Sequence, residues 1–147
     1  MTTPAPADEL KLVYTLFCDD VRLEVGNKLS LMGVFHQIVV HHFPVTLMKF
    51  AVVSQWRGEG RHLSEVRILT EDRQQPIVLS EPSPFEIAPG GVANNISFFF
   101  NVEFPAPGKY RVQTLIDSTL ADEQEVTFIR AGAGGPPPPD TTSEAVN

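Results

Sequence analysis

The segment at residues 95–104, NISFFFNVEF, constrains the fold most strongly, because its apolar side chains recur at every second position. A period of two is that of an extended strand with one buried face, whereas a helix repeats about every 3.6 residues. The alternation predicts that Phe99 shares the outer face of this strand with Asn101 and Glu103. The inner face is predicted to carry Ile96, Phe98, Phe100, Val102 and Phe104.

A second strand follows at once, since the loop PAPG leads into KYRVQTLID at residues 109–117. Matching the inner faces of the two strands places Glu103 opposite Arg111 and Phe99 opposite Leu115. An ion pair and an apolar pair on the outer face favour this register. The sequence therefore predicts a β-hairpin from these two strands.

The rest of the chain shows the same period and no convincing helical one. Turn residues such as Gly26-Asn27, Pro44 and Gly90-Gly91 separate the strands. Seven or eight short strands in about 120 residues predict an all-β fold, an antiparallel β-sandwich of immunoglobulin-like or C2-like dimensions. Besides the hairpin, strands are predicted near residues 11–18, 28–35 with a continuation through 38–40, 46–56, 62–69, 77–79 and 125–129.

Composition divides the chain into one folded unit and two tails. Residues 1–9 and the Gly/Pro-rich residues 131–147 lack apolar periodicity, so both are predicted to be disordered. Residues 10–130 are predicted to form the β-sandwich domain. The four prolines at 136–139 favour polyproline II, which could dock on an aromatic groove, although a solvated tail is the simpler interpretation.

Charge excludes several classes of partner. The net charge is −7, and the 11 Lys and Arg residues are scattered singly, which argues against nucleic acid and against anionic membranes. Neither a secretory signal nor an apolar run of about 18 residues is visible. One cysteine cannot form an internal disulfide. The predicted location is the cytoplasm.

Four short segments of the chain resemble those of a family of small, mostly bacterial proteins. They are FCDD at residues 17–20, GNKLSLMGVF at 26–35, Phe43-Pro44, and PGKY at 107–110. The resemblance covers about residues 12–129, nearly all of the predicted folded unit. The family is a domain of unknown function, so the resemblance supports the fold and assigns no catalytic residue.

Cys18 with Asp19 and Asp20 is the first candidate for chemistry. A nucleophilic thiol needs a lowered pKa, and two adjacent carboxylates oppose the thiolate. Cys18 also shares a predicted strand face with Tyr14 and Leu16, so a buried core cysteine is expected. We predict no catalytic residue here.

Acidic residues at strand ends suggest a metal site instead. If the strands alternate in direction, Asp19, Asp20, Asp117 and Asp122 meet at one end of the sandwich, as in calcium-binding sandwiches. The alternative is that these carboxylates are solvated or cap backbone N–H groups. The four histidines show no zinc-ligand spacing. No cofactor is predicted, and calcium is kept as the alternative.

Long apolar side chains on an outer face suggest a partner surface. Phe99 and Leu115 are predicted to lie on that face, and Phe85 lies in a predicted loop at residues 81–94, EPSPFEIAPGGVAN. The alternative is that these side chains are covered within the chain.

The sequence thus predicts a non-enzymatic binding or assembly module that contacts a protein partner, or a second copy, through the outer face or the 81–94 loop. A cation- or small-ligand-binding sandwich that uses acidic loops is the second hypothesis. An enzyme is the third hypothesis, and it is placed last because the sequence contains no catalytic motif.

Overall fold

The computed structural model describes residues 10–132, and within them the chain forms strands and no helix. The all-β prediction is therefore confirmed. The strands are β1 (Lys11–Cys18), β2 (Asp20–Glu24), β3 (Lys28–Met32), β4 (Gln37–Val40), β5 (Val45–Thr70), β6 (Pro76–Leu79), β7 (Ser83–Phe104), β8 (Gly108–Ile116) and β9 (Thr119–Arg130).

Strands β5 and β7 form one long antiparallel ribbon around which the other strands assemble. It runs from Val45 opposite Phe104 to Ser64 opposite Ser83. The ribbon bends at Glu59, which lies opposite three residues of β7, 88–90, because the register shifts there. Such a bulge turns a strand sharply without ending its pairing.

The bend curls the main sheet into a half-barrel. The first half of β5 pairs with β1 on one side and with β7 on the other. Its second half pairs with β7, β6 and β8, and β9 and β4 continue the sheet beyond β8. Strands β4 and β9 run parallel, so the sheet is mixed. The predicted immunoglobulin-like antiparallel sandwich is thus replaced by a strongly curled mixed half-barrel.

The main core fills the concave side of this half-barrel with aromatic side chains. Phe104 stacks on Phe128 with ring centroids 4.2 Å apart, and Tyr110 meets Phe104 edge-on at 5.1 Å. The hydroxyl of Tyr110 donates to the Ala106 carbonyl and accepts from the Ala106 N–H. The polar tip of a buried tyrosine is therefore satisfied by its own loop.

A hairpin of β2 and β3 covers part of the convex side. The sequence predicts a strand at residues 28–35, of which the first part forms β3, and it predicts no strand at residues 20–24, which form β2. Val21, Leu29 and Leu31 of the hairpin pack on a second buried cluster, formed by Cys18, Ala51 and Val53. Apolar residues on both faces of β5 are thereby buried, although by different neighbours.

The predicted β7–β8 hairpin is wrong. Phe99 lies opposite Phe50 of β5, and Glu103 lies opposite Thr46. Arg111 pairs with Glu125 of β9, and Leu115 lies opposite Glu65 of β5. Local alternation identifies a strand but carries no information about which distant strand pairs with it.

The predicted loop at residues 81–94 is also a strand. From Ser83 onward these residues pair with the second half of β5 and then with its bend. Pro84 and Pro89 resemble loop residues in the sequence. They are tolerated because β7 pairs along one edge only in the described part of the chain, so that some of its N–H groups need no partner.

The predicted disordered tails at residues 1–9 and 133–147, with the proline run at 136–139, lie outside the described residues. Ala131, assigned to the tail, donates its N–H to the Val40 carbonyl at 2.7 Å. Within residues 10–132, no helix is long and apolar enough to cross a membrane.

Candidate interaction surface on strand β7

Two aromatic side chains lie exposed together on the convex side of the β5–β7 ribbon. Phe98 and Phe100 are 41% and 60% exposed, and we call them the β7 patch; Met48 of β5 is also 59% exposed. The rings of Phe98 and Phe100 are stacked with centroids 6.4 Å apart. Exposed apolar residues that occur singly need no explanation, but a contiguous group on one face is typical of a binding surface.

A cation borders the patch and is itself neutralised. The ammonium of Lys49 lies 5.1 Å from the ring centroid of Phe98 and 2.9 Å from Oδ1 of Asp20. Hydrogen bonds from Lys49 and from the Val21 N–H hold the pKa of Asp20 below its usual value. The pair leaves the border of the patch without net charge, which favours an uncharged partner.

The patch begins where the β2–β3 hairpin ends. Ile96 packs against the cluster of Cys18, Ala51 and Val53 that the hairpin covers. Phe98 lies opposite Ala51, and Phe100 opposite Lys49, farther along the same face. The convex face of β7 thus passes from covered to exposed between Ile96 and Phe98.

The patch also borders an unpaired strand edge. Over residues 92–104, β7 pairs with β5 on one side, and no other strand within residues 10–132 pairs with its opposite side. We call that side the β7 edge. Its residues include no Lys, Arg or Pro, and their single charge is Glu103. Proteins usually protect open edges with Lys, Pro or a covering segment.

The structure places the predicted partner-surface residues elsewhere. Phe99 is 4% exposed and stacks on Phe50 at 5.1 Å, and Leu115 is 8% exposed. Neither side chain lies on a surface, so they form no partner surface, and the alternative that they are covered within the chain is correct. The sequence reasoning instead missed Phe98 and Phe100, which it assigned to the core.

Asn101 explains the reversal of faces. Its φ is +54°, a left-handed conformation that Asn adopts more readily than most residues. Before it, Phe99 points inward and Phe100 outward; after it, Val102 is buried. Met48, which faces Asn101 in the β5–β7 register, interrupts the alternation of β5 in the same way, since both Leu47 and Phe50 are buried.

Phe85, the third predicted partner residue, lies half-buried at the other end of β7. Its ring centroid is 5.7 Å from that of His62. His62 Nδ1 lies 2.9 Å from Oδ2 of Asp117, and its Nε2 lies 2.9 Å from the carbonyl oxygen of Glu59. Because both neighbours accept hydrogen bonds, the protonated imidazolium satisfies both contacts by donating twice.

The environment of His62 changes the pKa of both members of the pair. Burial lowers the pKa of His62, but the hydrogen bonds to Asp117 and Glu59 and the charge of Asp117 outweigh it and raise the pKa above its usual value. Hydrogen bonds from His62 and from the Leu63 N–H hold the pKa of Asp117 below its usual value. The cluster links the bend of β5 to the turn between β8 and β9.

The candidate metal ligands are not brought together as predicted. Asp20 contacts Lys49, and Asp117 contacts His62, at separate positions along β5. The side chain of Asp19 packs over Gly33. Asp122 has a buried Oδ2 without a hydrogen-bond partner among residues 10–132. In the same range, no group of three or more His, Cys, Asp or Glu side chains could hold a metal ion.

Glu123, in the same acidic segment, belongs to a surface network. Arg73 donates two hydrogen bonds to it at 2.6 and 2.8 Å, and Gln113 donates one at 2.7 Å. Hydrogen bonds from Arg73 and then from Gln113 lower the pKa of Glu123 to about 2. Its carboxylate is occupied by protein donors.

Cys18 lies in the core, as the sequence predicts. It is 0% exposed and is a free cysteine. Burial raises the pKa of its thiol, and the charges of Asp19 and Asp20 add to that rise. A buried thiol of raised pKa is an inert packing group.

The strands define an all-β domain. The chain belongs to a family of unknown function, DUF6941, whose model matches residues 13–128. This confirms the family resemblance read from the sequence. A search of curated protein sequences gives no match.

Solved structures resemble the fold at low sequence identity. One is an alkylpurine DNA glycosylase, AlkC, from Pseudomonas fluorescens bound to DNA with an abasic site analog, at 8% identity and a TM-score of 0.53. The match covers 82% of this chain and 30% of that one. Another is a β-glucosidase from Listeria innocua in complex with glucose, at 13% identity and a TM-score of 0.49, covering 82% of this chain and 16% of that one. The chain thus spans less than a third of either protein, and the first likeness concerns the fold alone.

Proposed function

We propose that this domain is a non-enzymatic protein-interaction module that works in the cytoplasm and binds its partner through the β7 patch and the β7 edge. One observation carries the proposal: two exposed aromatic side chains, Phe98 and Phe100, lie on a strand whose free edge is almost without charge. The aromatic rings supply apolar area, and the edge supplies backbone donors and acceptors.

The two parts fit one mode of recognition. An extended segment that adds to a sheet edge gains main-chain hydrogen bonds, and pockets or patches beside the edge select its side chains. A buried aromatic side chain contributes about 150–250 Å² of contact area. Phe98 and Phe100 lie on the convex face of the edge strand itself, so one added strand would contact both of them.

The proposal is tested by photo-crosslinking in cells that express the full 147-residue chain. Benzoylphenylalanine replaces Phe100 in one variant and Leu79 in the other. Leu79 is a matched control, because it is 62% exposed against 60% for Phe100 but lies on β6. We expect a discrete crosslinked protein product from position 100 and none from position 79. If position 100 gives no more product than position 79, the proposal is wrong.

A further inference from the structure

We propose that the strand which binds the β7 edge is the β7 strand of a second copy of this chain, paired antiparallel across a two-fold axis at Phe99. This inference rests on the proposed function and names its partner. In this pairing, Phe98 of each copy lies opposite Phe100 of the other, so two aromatic pairs form on the convex face. Direct cross-strand aromatic pairs are among the favourable contacts of antiparallel sheets.

A two-fold contact requires a surface that is its own complement. The β7 edge meets that requirement because it presents a single charge, Glu103, at one end. Because Asn101 reverses the faces beyond it, the two-fold pairing is confined to residues 97–101, and the two Glu103 carboxylates lie outside opposite ends of the contact. Residues 97–101 carry no charge, and at the ends of the contact Asn101 lies opposite Ser97 of the partner copy. No like charges meet in the paired strands.

Charge also decides between a second copy and other occupants. A basic or acidic segment finds no counter-ion on the edge besides Glu103, and Lys49 is already paired with Asp20. An uncharged, largely apolar strand is what the edge accepts, and residues 95–100 of a second copy form such a strand in its folded conformation. Pre-organisation lowers the entropic cost of binding relative to a segment that must first become extended.

The sheets are continuous across this axis. In each copy, β1, β5 and β7 form adjacent strands, and the β7–β7 contact joins the two sets into one sheet. Pairing through β7 removes an edge that each copy would otherwise expose. Each chain carries a net charge of −7, so mutual repulsion weakens the dimer at low ionic strength. Added salt should therefore strengthen it.

The register is tested by disulfide formation between full-length variants. Cys18 is buried and free, so it does not interfere. An equimolar mixture of Phe98→Cys and Phe100→Cys chains should crosslink under mild oxidation, because the two cysteines lie opposite each other while the second aromatic pair remains. Neither variant should crosslink alone, and a mixture of Phe98→Cys with Leu79→Cys should not crosslink. A crosslink by either variant alone, or none in the first mixture, overturns the pairing.

The association itself is tested by sedimentation equilibrium. We expect the wild-type chain to reach twice its 16.2 kDa mass as concentration rises. Phe100→Lys should raise the dimer dissociation constant at least tenfold, and Leu79→Lys should leave it unchanged. Circular dichroism verifies that each variant is folded. A monomer throughout, or a dimer indifferent to Phe100→Lys, overturns the inference.

The crosslinking of Phe100 described above separates this inference from the function on which it rests. A product at twice the chain mass that contains only this sequence supports both. A product with a different protein, from a chain that sediments as a monomer, overturns self-pairing and leaves the interaction module in place. No intermolecular product at all overturns both.

Discussion

The imidazole of His62 lies 2.9 Å from the carboxylate of Asp117 across the gap between β5 and the β8–β9 turn. The same ring reaches the Glu59 carbonyl at the bend of β5. One side chain therefore joins two segments that are distant in sequence. Its contribution to stability depends on its protonation.

The free energy of unfolding should fall as the pH rises from 6 to 9. The folded-state pKa of His62 is raised, so its stabilising contribution is complete below the unfolded pKa, near 6.5, and is lost as the pH rises through the folded value. Asp117 has a lowered pKa, so its contribution is present above about 4 and is lost in stronger acid. Solvent at the half-exposed Asp117 keeps the effect below about 1 kcal/mol.

Urea unfolding at several pH values measures this slope. His62→Gln should remove the part of the slope between pH 6 and 9, whereas His42→Gln, on an exposed side chain, should retain it. An unchanged slope in His62→Gln would contradict the assignment.

Phe99 and Phe100 should respond in opposite ways to truncation. Phe99→Ala removes a buried ring stacked on Phe50 and should cost about 3–5 kcal/mol. Phe100→Ala removes an exposed ring and should change monomer stability by no more than about 0.5 kcal/mol. Thermal unfolding at two protein concentrations separates monomer stability from association. Equal losses for the two variants would show that the faces are assigned wrongly.

Gly33 should not tolerate a side chain. Its φ is +70°, and a Cβ there would lie 2.7 Å from Cγ of Asp19. Gly33→Ala should therefore destabilise the chain by about 1–3 kcal/mol. Gly90→Ala is the control, because Gly90 has a similar φ of +73° and nothing within 4 Å of the added Cβ. The difference between the two free energies of unfolding measures the overlap with Asp19, and a difference of zero would exclude it.

Labelling of Cys18 should report on opening of the β2–β3 hairpin. A thiol reagent should react slowly with the native chain, because the hairpin covers the cluster that contains Cys18. Leu31→Ala thins that cover and should accelerate labelling. Val78→Ala is the control, since Val78 packs on the main core and its loss favours global unfolding alone. If the two variants lose the same stability and their Cys18 labelling accelerates equally, the hairpin opens only when the whole chain unfolds.

The strands were predictable from the sequence where local alternation is sufficient to define them. Residues 11–18 were predicted as a strand and form β1 (Lys11–Cys18). Alternation could not show which residues of β7 face inward, because one left-handed residue, Asn101, reverses the two faces. An Asn inside an apolar strand was the local signal of this reversal.

Pairing could not be predicted, since it is decided by distant residues. Residues 83–91 contain Pro and Gly and resemble a loop, yet β5 supplies their partner strand. The predicted β7–β8 hairpin failed for the same reason. The predicted convergence of Asp20 and Asp117 required turns between short strands, whereas residues 57–60 lie within β5.

The β5–β7 ribbon also suggests an order of folding. Its pairs are nested: Ser64 with Ser83 encloses the shortest chain segment, and Val45 with Phe104 encloses the longest. Loop closure costs less for short segments, and each pair that forms brings the next two residues together. The ribbon can therefore close from its inner end outward, like a zipper. In that order, Phe98 and Phe100 of β7 join the sheet late in each folding event.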